Sequence, residues 1–210
     1  MDNCFYMRWW RWVRRFRHRC GYNVHSPTDF FLITSVIYES APYYAYKSLE
    51  KLAFTDKLPH YRTKVNKLLF RLVNYFQPRN MIEVGKGNGA AQAYMKTASR
   101  SMNFISVDDQ LPLEQFTQQL SMQLECMKEL DGLHIGHTPY YKETFQNALP
   151  YVNEKTCFIV ADIHENDEKK HWWKEVKQDE RTGITFDLYD IGLIFFDKKR
   201  YKQDYIINFL

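Results

Sequence analysis

The stretch IEVGKGNG, residues 82–89, constrains this chain more than any other. It closes an apolar run, MIEV (81–84), and places three glycines at alternate positions. A helical pattern, AAQAYMKTAS (90–99), and a second apolar run, NFISV (103–107), follow. Strand, glycine turn, helix and strand make a βαβ unit, so a parallel sheet is expected. The chain must turn sharply at Gly85, Gly87 lets the backbone approach a ligand, and Gly89 permits close packing of the next helix. The free N–H groups at that helix start favour a negative group. Glu83, on the strand, can orient the turn or meet a ligand cation, and Lys86 joins it in the cofactor-binding set. Asp108 follows the second strand, where an acid can accept bonds from ribose hydroxyls. The dinucleotide spacing would need its third glycine at position 90, which is Ala90, so a nicotinamide enzyme is less favoured.

The remaining pattern fits one domain, 1–210, with an N-terminal helical arm and cap over 1–60 and a core over 61–210. Val65, Leu68, Leu69, Leu72, Val73 and Phe76 repeat at helical spacing, and Gln77-Pro78 ends that helix. Ser26-Pro27 is a helix start, because Ser caps a free N–H and Pro fits the first turn. Helices are also expected over much of 111–130, TPYYKETFQNALPYV and NDEKKHWWKEVKQD. LHIGH and TCFIVADIH read as further strands. ITFDLY, GLIFF and DYIINFL are three β-like runs that suggest an antiparallel ending. Tyr43, Tyr44 and Tyr46 form a cluster that suits either a pocket lining or a helix junction.

Charge separates the arm from the body. Residues 1–20 carry six arginines against one acid, a net of +5 in a chain of net +4, so the body is close to neutral. Within MRWWRWVRRFRHRC, Trp9, Trp12, Val13, Phe16 and Cys20 recur at helical spacing, while Arg8, Arg11, Arg15 and Arg19 line another face. Residues 8–19 could touch a membrane surface or nucleic acid. The favoured expectation is that the aromatic stripe packs on the body and the arginines are solvated, since exposed tryptophans are unusual. No apolar run is long enough to span a bilayer, and arginines interrupt any secretory pattern. Cysteines at 4, 20, 126 and 157 have no paired or metal-like spacing, so a reduced, cytoplasmic protein is expected.

With an acid before the glycines and another after the second strand, the turn resembles motif I of class I S-adenosylmethionine-dependent methyltransferases. HRCGYNVHSPTDFFLITSVIYE, FRLVNYFQPRNMIEVG and TFDLYDIGLIFF extend the resemblance to a bacterial methyltransferase-like group near the catechol O-methyltransferase-like, metal-dependent branch. The resemblance implies an α/β fold: a Rossmann-like, mostly parallel sheet with antiparallel C-terminal strands and N-terminal helices covering the cofactor cleft. It also implies methyl transfer from S-adenosylmethionine to a small-molecule acceptor, at oxygen.

Three departures from the family stand out. Only 25 residues separate Asp108 from His134, too few for the strand and helix expected there, so edge strand three should be missing. An Asp-Gly-Asn-His-Thr motif is replaced by His134-Ile135-Gly136-His137-Thr138, and an Asp-Asp-Ile-His motif by Ala161-Asp162-Ile163-His164. Asp162, His164 and His137 are the candidate catalytic residues. His134, Asp162 and His164 are candidate ligands of a divalent metal, and a His-rich set would suit Zn²⁺, Fe²⁺ or Mn²⁺ better than Mg²⁺. These histidines could equally make only structural bonds. The unpaired edge left by strand three offers a surface for a homodimer. The alternative function is a methyltransferase-like module that binds or assembles without catalysing.

Overall fold

A computed structural model describes residues 5–22, 24–55 and 57–210. Seven strands form one sheet in the order β2-β1-β3-β4-β6-β5-β7. At one edge lies the expected unit: β1 (Asn80–Val84), α5 (Ala90–Ala98) and β2 (Asn103–Val107), with β1 and β2 parallel and in register from Asn80↔Asn103 to Val84↔Val107. After β2 the chain forms α6 (Leu113–Met127) and returns as β3 (Leu130–Ile135) on the other side of β1. Thus β2 is an edge strand, as the short spacing between Asp108 and His134 required. The next pair is α7 (Tyr141–Ala148) and β4 (Val152–Ala161), again parallel to its neighbour.

The ending differs in one respect from the antiparallel expectation. After α8 (Asp167–Gln178), β5 (Ile184–Asp187) and β6 (Ile191–Phe195) form a hairpin, and β6 is antiparallel to both β4 and β5. β7 (Gln203–Ile206) pairs parallel with β5. The reason is geometric. β6 ends beside the start of β5, so the short connection that follows must run alongside β5 in the same direction. This added edge strand keeps the sheet at seven strands although strand three is absent.

Helices cover both faces. On one, α2 (Pro27–Phe31), its continuation in wider π turns over Leu32–Ile37, α4 (Thr63–Phe76) and α5 enclose Ile33, Leu68, Leu69, Met81 and Leu193. On the other, α6, α7 and α8 enclose Val84, Phe116, Leu133, Phe145, Phe158 and Trp173. Packed on both faces, β4 reads as a continuous apolar run over Cys157–Ala161, whereas the equally buried β3 carries His134. Ser26 caps α2, its hydroxyl accepting the Asp29 N–H. Tyr43 and Tyr46 pack on Phe70 near the short α3 (Tyr46–Leu49), whereas Tyr44 is exposed.

The arm reverses the expectation for most of its two faces, the half-buried Trp12 and the exposed Arg19 standing as expected. In α1 (Phe5–Arg14), Tyr6, Trp9, Trp10 and Val13 stand at i, i+3, i+4 and i+7 and point outward; Trp9 is 50% and Trp10 46% exposed. Arg8, Arg11, Trp12 and Arg15 repeat that spacing on the opposite side and are partly buried. Phe16 is exposed as well. Carboxylates on the body decide the orientation, because buried acids there need cationic partners more than the aromatic rings need cover. Among the described cysteines, Cys20 and Cys126 are exposed and Cys157 is buried, all three free; Cys4 lies outside the described residues.

Candidate active site at the carboxyl edge of the sheet

Ligands of open α/β sheets bind beyond the carboxyl ends of the strands. Here that edge carries the glycine turn, Asp108, and three separate acid–imidazole pairs.

Gly85 and Gly87 have φ of +77° and +58°, backbone that favours glycine. A side chain at Gly85 would press on the His137 backbone and Thr138. One at Gly87 would collide with the Pro59 carbonyl oxygen. The close approach expected of Gly87 is therefore made by this chain's own segment: the Asn88 N–H donates to the Pro59 carbonyl (3.0 Å) and its side-chain amide to the Thr55 carbonyl (3.2 Å). Gly89 is not a packing glycine, since the nearest atom to a side chain there is the Lys86 Cε at 3.4 Å; its φ of +82° is what requires it. Lys86 is exposed at the rim of the turn. Asp108 is exposed at the tip of β2, one oxygen accepting the Gln110 N–H.

Glu83 does not face open space. It is fully buried, held by the Gln92 amide (2.9 Å), the Ser106 hydroxyl (3.3 Å) and His134 Nδ1 (3.2 Å). His134 Nε2 contacts the Tyr61 hydroxyl at 2.9 Å. Burial, then the carboxylates of Asp162, Glu83 and Asp190, push the Tyr61 phenol well above its usual pKa. The phenol therefore stays protonated and donates to Nε2. With Nε2 accepting, Nδ1 is the nitrogen that donates to Glu83. This is a closed chain with each member satisfied.

The second pair is open. His137 Nδ1 lies 2.5 Å from Asp162 Oδ2, and the Tyr61 ring packs 4.6 Å from the imidazole. His137 Nε2 is buried with no hydrogen-bond partner. Asp162 has φ +51°, and its N–H donates to the Asp190 carbonyl (2.7 Å). Such backbone outside glycine is costly and concentrates at functional sites.

The third pair joins the arm. His164 Nε2 is 2.7 Å from Asp187 and 3.1 Å from the Arg15 guanidinium, which itself donates to Asp187 Oδ1 (2.9 Å). That nitrogen can donate to Asp187 or accept from Arg15, not both. Burial alone would raise the Asp187 carboxyl, but the bonds from His164 and Arg15 outweigh it and hold the pKa at about 2. Arg8 forks onto Asp190 with bonds of 2.9 and 2.8 Å. Tyr189, at φ +78°, stacks on the His164 ring 5.0 Å away and lies beneath the guanidiniums of Arg8, Arg11 and Arg15.

The candidate metal set is thereby divided. His134 belongs to Glu83, Asp162 to His137, and His164 to Asp187. Among the described residues no group of three His, Cys, Asp or Glu side chains is placed to hold a metal ion. Each imidazole is engaged by its own carboxylate, at 3.2, 2.5 and 2.7 Å for His134, His137 and His164. The structure also adds residues that the motifs did not reveal: Tyr61, Gln92, Ser106, Asp187, Tyr189, Asp190, Arg8 and Arg15. The Asp187-x-x-Asp190 spacing after a buried strand was a signal within reach.

The chain matches no protein-family profile and no curated protein. Its structure is similar to a Staphylococcus aureus protein described as a caffeoyl-CoA O-methyltransferase. The TM-score is 0.55 at 12% identity, over 80% of this chain and 98% of that one. It is also similar to a methyltransferase from Geobacter sulfurreducens (0.54, 13%, over 76% and 92%). An O-methyltransferase from Bacillus cereus in complex with SAH gives 0.50 at 14%, over 81% and 97%. The fold is the Rossmann-like fold of class I methyltransferases, and these neighbours include O-methyltransferases. No helix among the described residues is long and apolar enough to cross a membrane.

Proposed function

We propose that this chain binds S-adenosylmethionine at the glycine turn and methylates a hydroxyl of a small-molecule acceptor. One observation carries the reading: the left-handed Gly85–Gly89 turn and the exposed Asp108 end adjacent parallel strands, beside a buried imidazole nitrogen with no partner. The donor set fits the cofactor, since Asp108 offers a carboxylate to ribose hydroxyls and the start of α5 offers N–H groups. Gly85, Gly87 and Gly89 form the floor, with Lys86 at its rim. Glu83 supports the turn from below through Gln92 and Ser106 rather than touching the ligand. The known S-adenosylhomocysteine complexes of this fold, including the Bacillus cereus enzyme, support the assignment.

When bound, the cofactor supplies an electrophilic methyl group. The protein's part is to position an acceptor oxygen and take its proton. His137 is the base: Asp162 holds Nδ1, which fixes Nε2 as the accepting nitrogen. His137 Nε2 would take the acceptor hydroxyl's proton while the oxygen's electron pair bonds to the methyl carbon, whose bond to sulfur would break and leave S-adenosylhomocysteine. His164, braced by Asp187 and Arg15, lines the acceptor side.

A second reading has its own observation. The Pro59 carbonyl already occupies the approach to Gly87, and the arm caps Asp187 and Asp190, as in a module that binds without catalysing. Calorimetric titration with S-adenosylmethionine and S-adenosylhomocysteine separates the two. The enzyme reading expects micromolar affinity, on the order of −8 kcal/mol, at least tenfold weaker in Asp108→Ala and retained in His137→Gln. Absence of binding up to millimolar ligand, with the protein folded, overturns it and leaves the second reading.

A further inference from the structure

The outward face of α1 has a composition at odds with a solvated surface. Tyr6, Trp9, Trp10 and Val13 form a continuous helical stripe, 71%, 50%, 46% and 39% exposed, and Phe16 extends it beyond the helix end at 55%. Cations flank the stripe. Arg14 lies over the Trp10 ring (5.4 Å) and Arg19 over the Phe16 ring (5.6 Å), while Arg17 is exposed beside them. Among the described residues no carboxylate lies within salt-bridge distance of Arg14, Arg17 or Arg19. Phe16 also borders a groove of about 890 Å3 between residues 16–24 and β7, with Arg17, Arg19 and Tyr22 on its wall.

We infer that this face docks on an anionic lipid bilayer. Aromatic rings on one side of a short helix, edged by arginines, match the interfacial region, where Trp and Tyr sit at headgroup level and basic side chains meet lipid phosphates. The charge is complementary: among the described residues the stripe's flanks carry cations and no acid, and two of those cations, Arg17 and Arg19, also reach the groove, whose β7 wall carries Asp204. Other partners fit less well. Nucleic acid would be tracked by the arginines of the helix, but Arg8 and Arg15 are ion-paired to Asp190 and Asp187, and Arg11 lies over Tyr189. A second copy meeting the face about a two-fold axis would bring the same cation-flanked patch and no described acid to pair with it. The orientation is fixed from the opposite side of the helix, so the stripe is presented without the arm leaving the body.

The test is flotation of the full chain with vesicles of phosphatidylcholine alone and of phosphatidylcholine with 30% phosphatidylglycerol. We expect binding to the anionic vesicles at least tenfold stronger than to the neutral ones, weakened by salt and accompanied by a blue shift of tryptophan emission. Trp9→Ala/Trp10→Ala should lose at least tenfold, and Arg14→Glu/Arg17→Glu should lose the preference for phosphatidylglycerol. Both variants alter exposed side chains, and circular dichroism melts check that they fold. No flotation of the wild-type chain overturns the inference. So does unchanged flotation of the tryptophan variant. A dimer in sedimentation that the same variant dissolves, or displacement from vesicles by single-stranded DNA at equal charge, also overturns it by assigning the face to another partner.

Discussion

Two acid–imidazole pairs, set apart along the same edge of the sheet, are built in opposite ways. Glu83 and His134 lie under the glycine turn at 0% and 1% exposure, and their partners come from the body of the fold: the buried Tyr61, the half-buried Gln92, and Ser106 on β2. Asp187 and His164 lie at the far end, where Asp187 is buried beneath its cationic partner, Arg15, which arrives from an arm more than 140 residues away in sequence. The first pair is part of the scaffold. The second is an attachment point. A buried polar group in the scaffold has no water to fall back on, so losing one partner leaves the others unsatisfied. At the attachment point water can replace a departing arm.

The largest effect should therefore fall on the scaffold pair. Glu83→Ala strips acceptors from His134, Gln92 and Ser106 at once and should cost about 3 kcal/mol of folding stability. Urea melts at neutral pH measure it. A loss below about 1 kcal/mol would mean that water enters beneath the turn and that the two pairs are alike.

The attachment pair should instead show itself through pH. The folded Asp187 carboxyl sits at about 2 against an ordinary value of 3.8, so the folded state binds the proton less readily than the unfolded chain does. Its contribution is fully present above pH 4 and fades as pH falls towards 2. The shift is worth roughly 2 kcal/mol. Melts of wild type and Asp187→Asn at pH 6, 4 and 2.5 should converge as the pH drops. A stability gap that stays constant or widens in acid has the wrong sign for a carboxylate stabilised in its charged form.

The same contrast explains what the sequence disclosed. The βαβ unit, the edge position of β2 and the glycine turn are local: period, turn residues and short spacings dictate them within some 30 residues. The absence of strand three was legible because the 25 residues between Asp108 and His134 hold one helix and the start of the next strand, with no room for a further strand and helix. The parallel β7 was not, because hydrophobic alternation carries no strand direction. The pairing of His134, His137 and His164 was also hidden. Their positions suggested one metal cluster, yet each imidazole took the nearest carboxylate, and two of those acids, Glu83 and Asp187, lie on other strands. Arg8 and Arg15 looked like a solvated face because local amphipathicity reports only that a helix has two sides. Which side faces inward was settled by Asp187 and Asp190, almost the whole chain away.

That last point gives the finest test, made within one helix. Arg8→Ala removes a forked bond to Asp190 whose partners are only about 15% exposed, and leaves that carboxylate with the weaker 3.8 Å contact to Arg62. It should cost about 1–2 kcal/mol, the range for a hydrogen bond to a charged group. Trp9→Ala, one residue on, removes a far larger side chain from the outward face. On size alone it would be the more damaging change. If α1 is attached by its arginines, it should shift stability by less than about 0.5 kcal/mol, as surface substitutions do. Thermal melts in parallel decide between the two orders. Should Trp9→Ala prove the more costly, the aromatic stripe is covered in solution, and the arm docks as hydrophobic periodicity alone would have it.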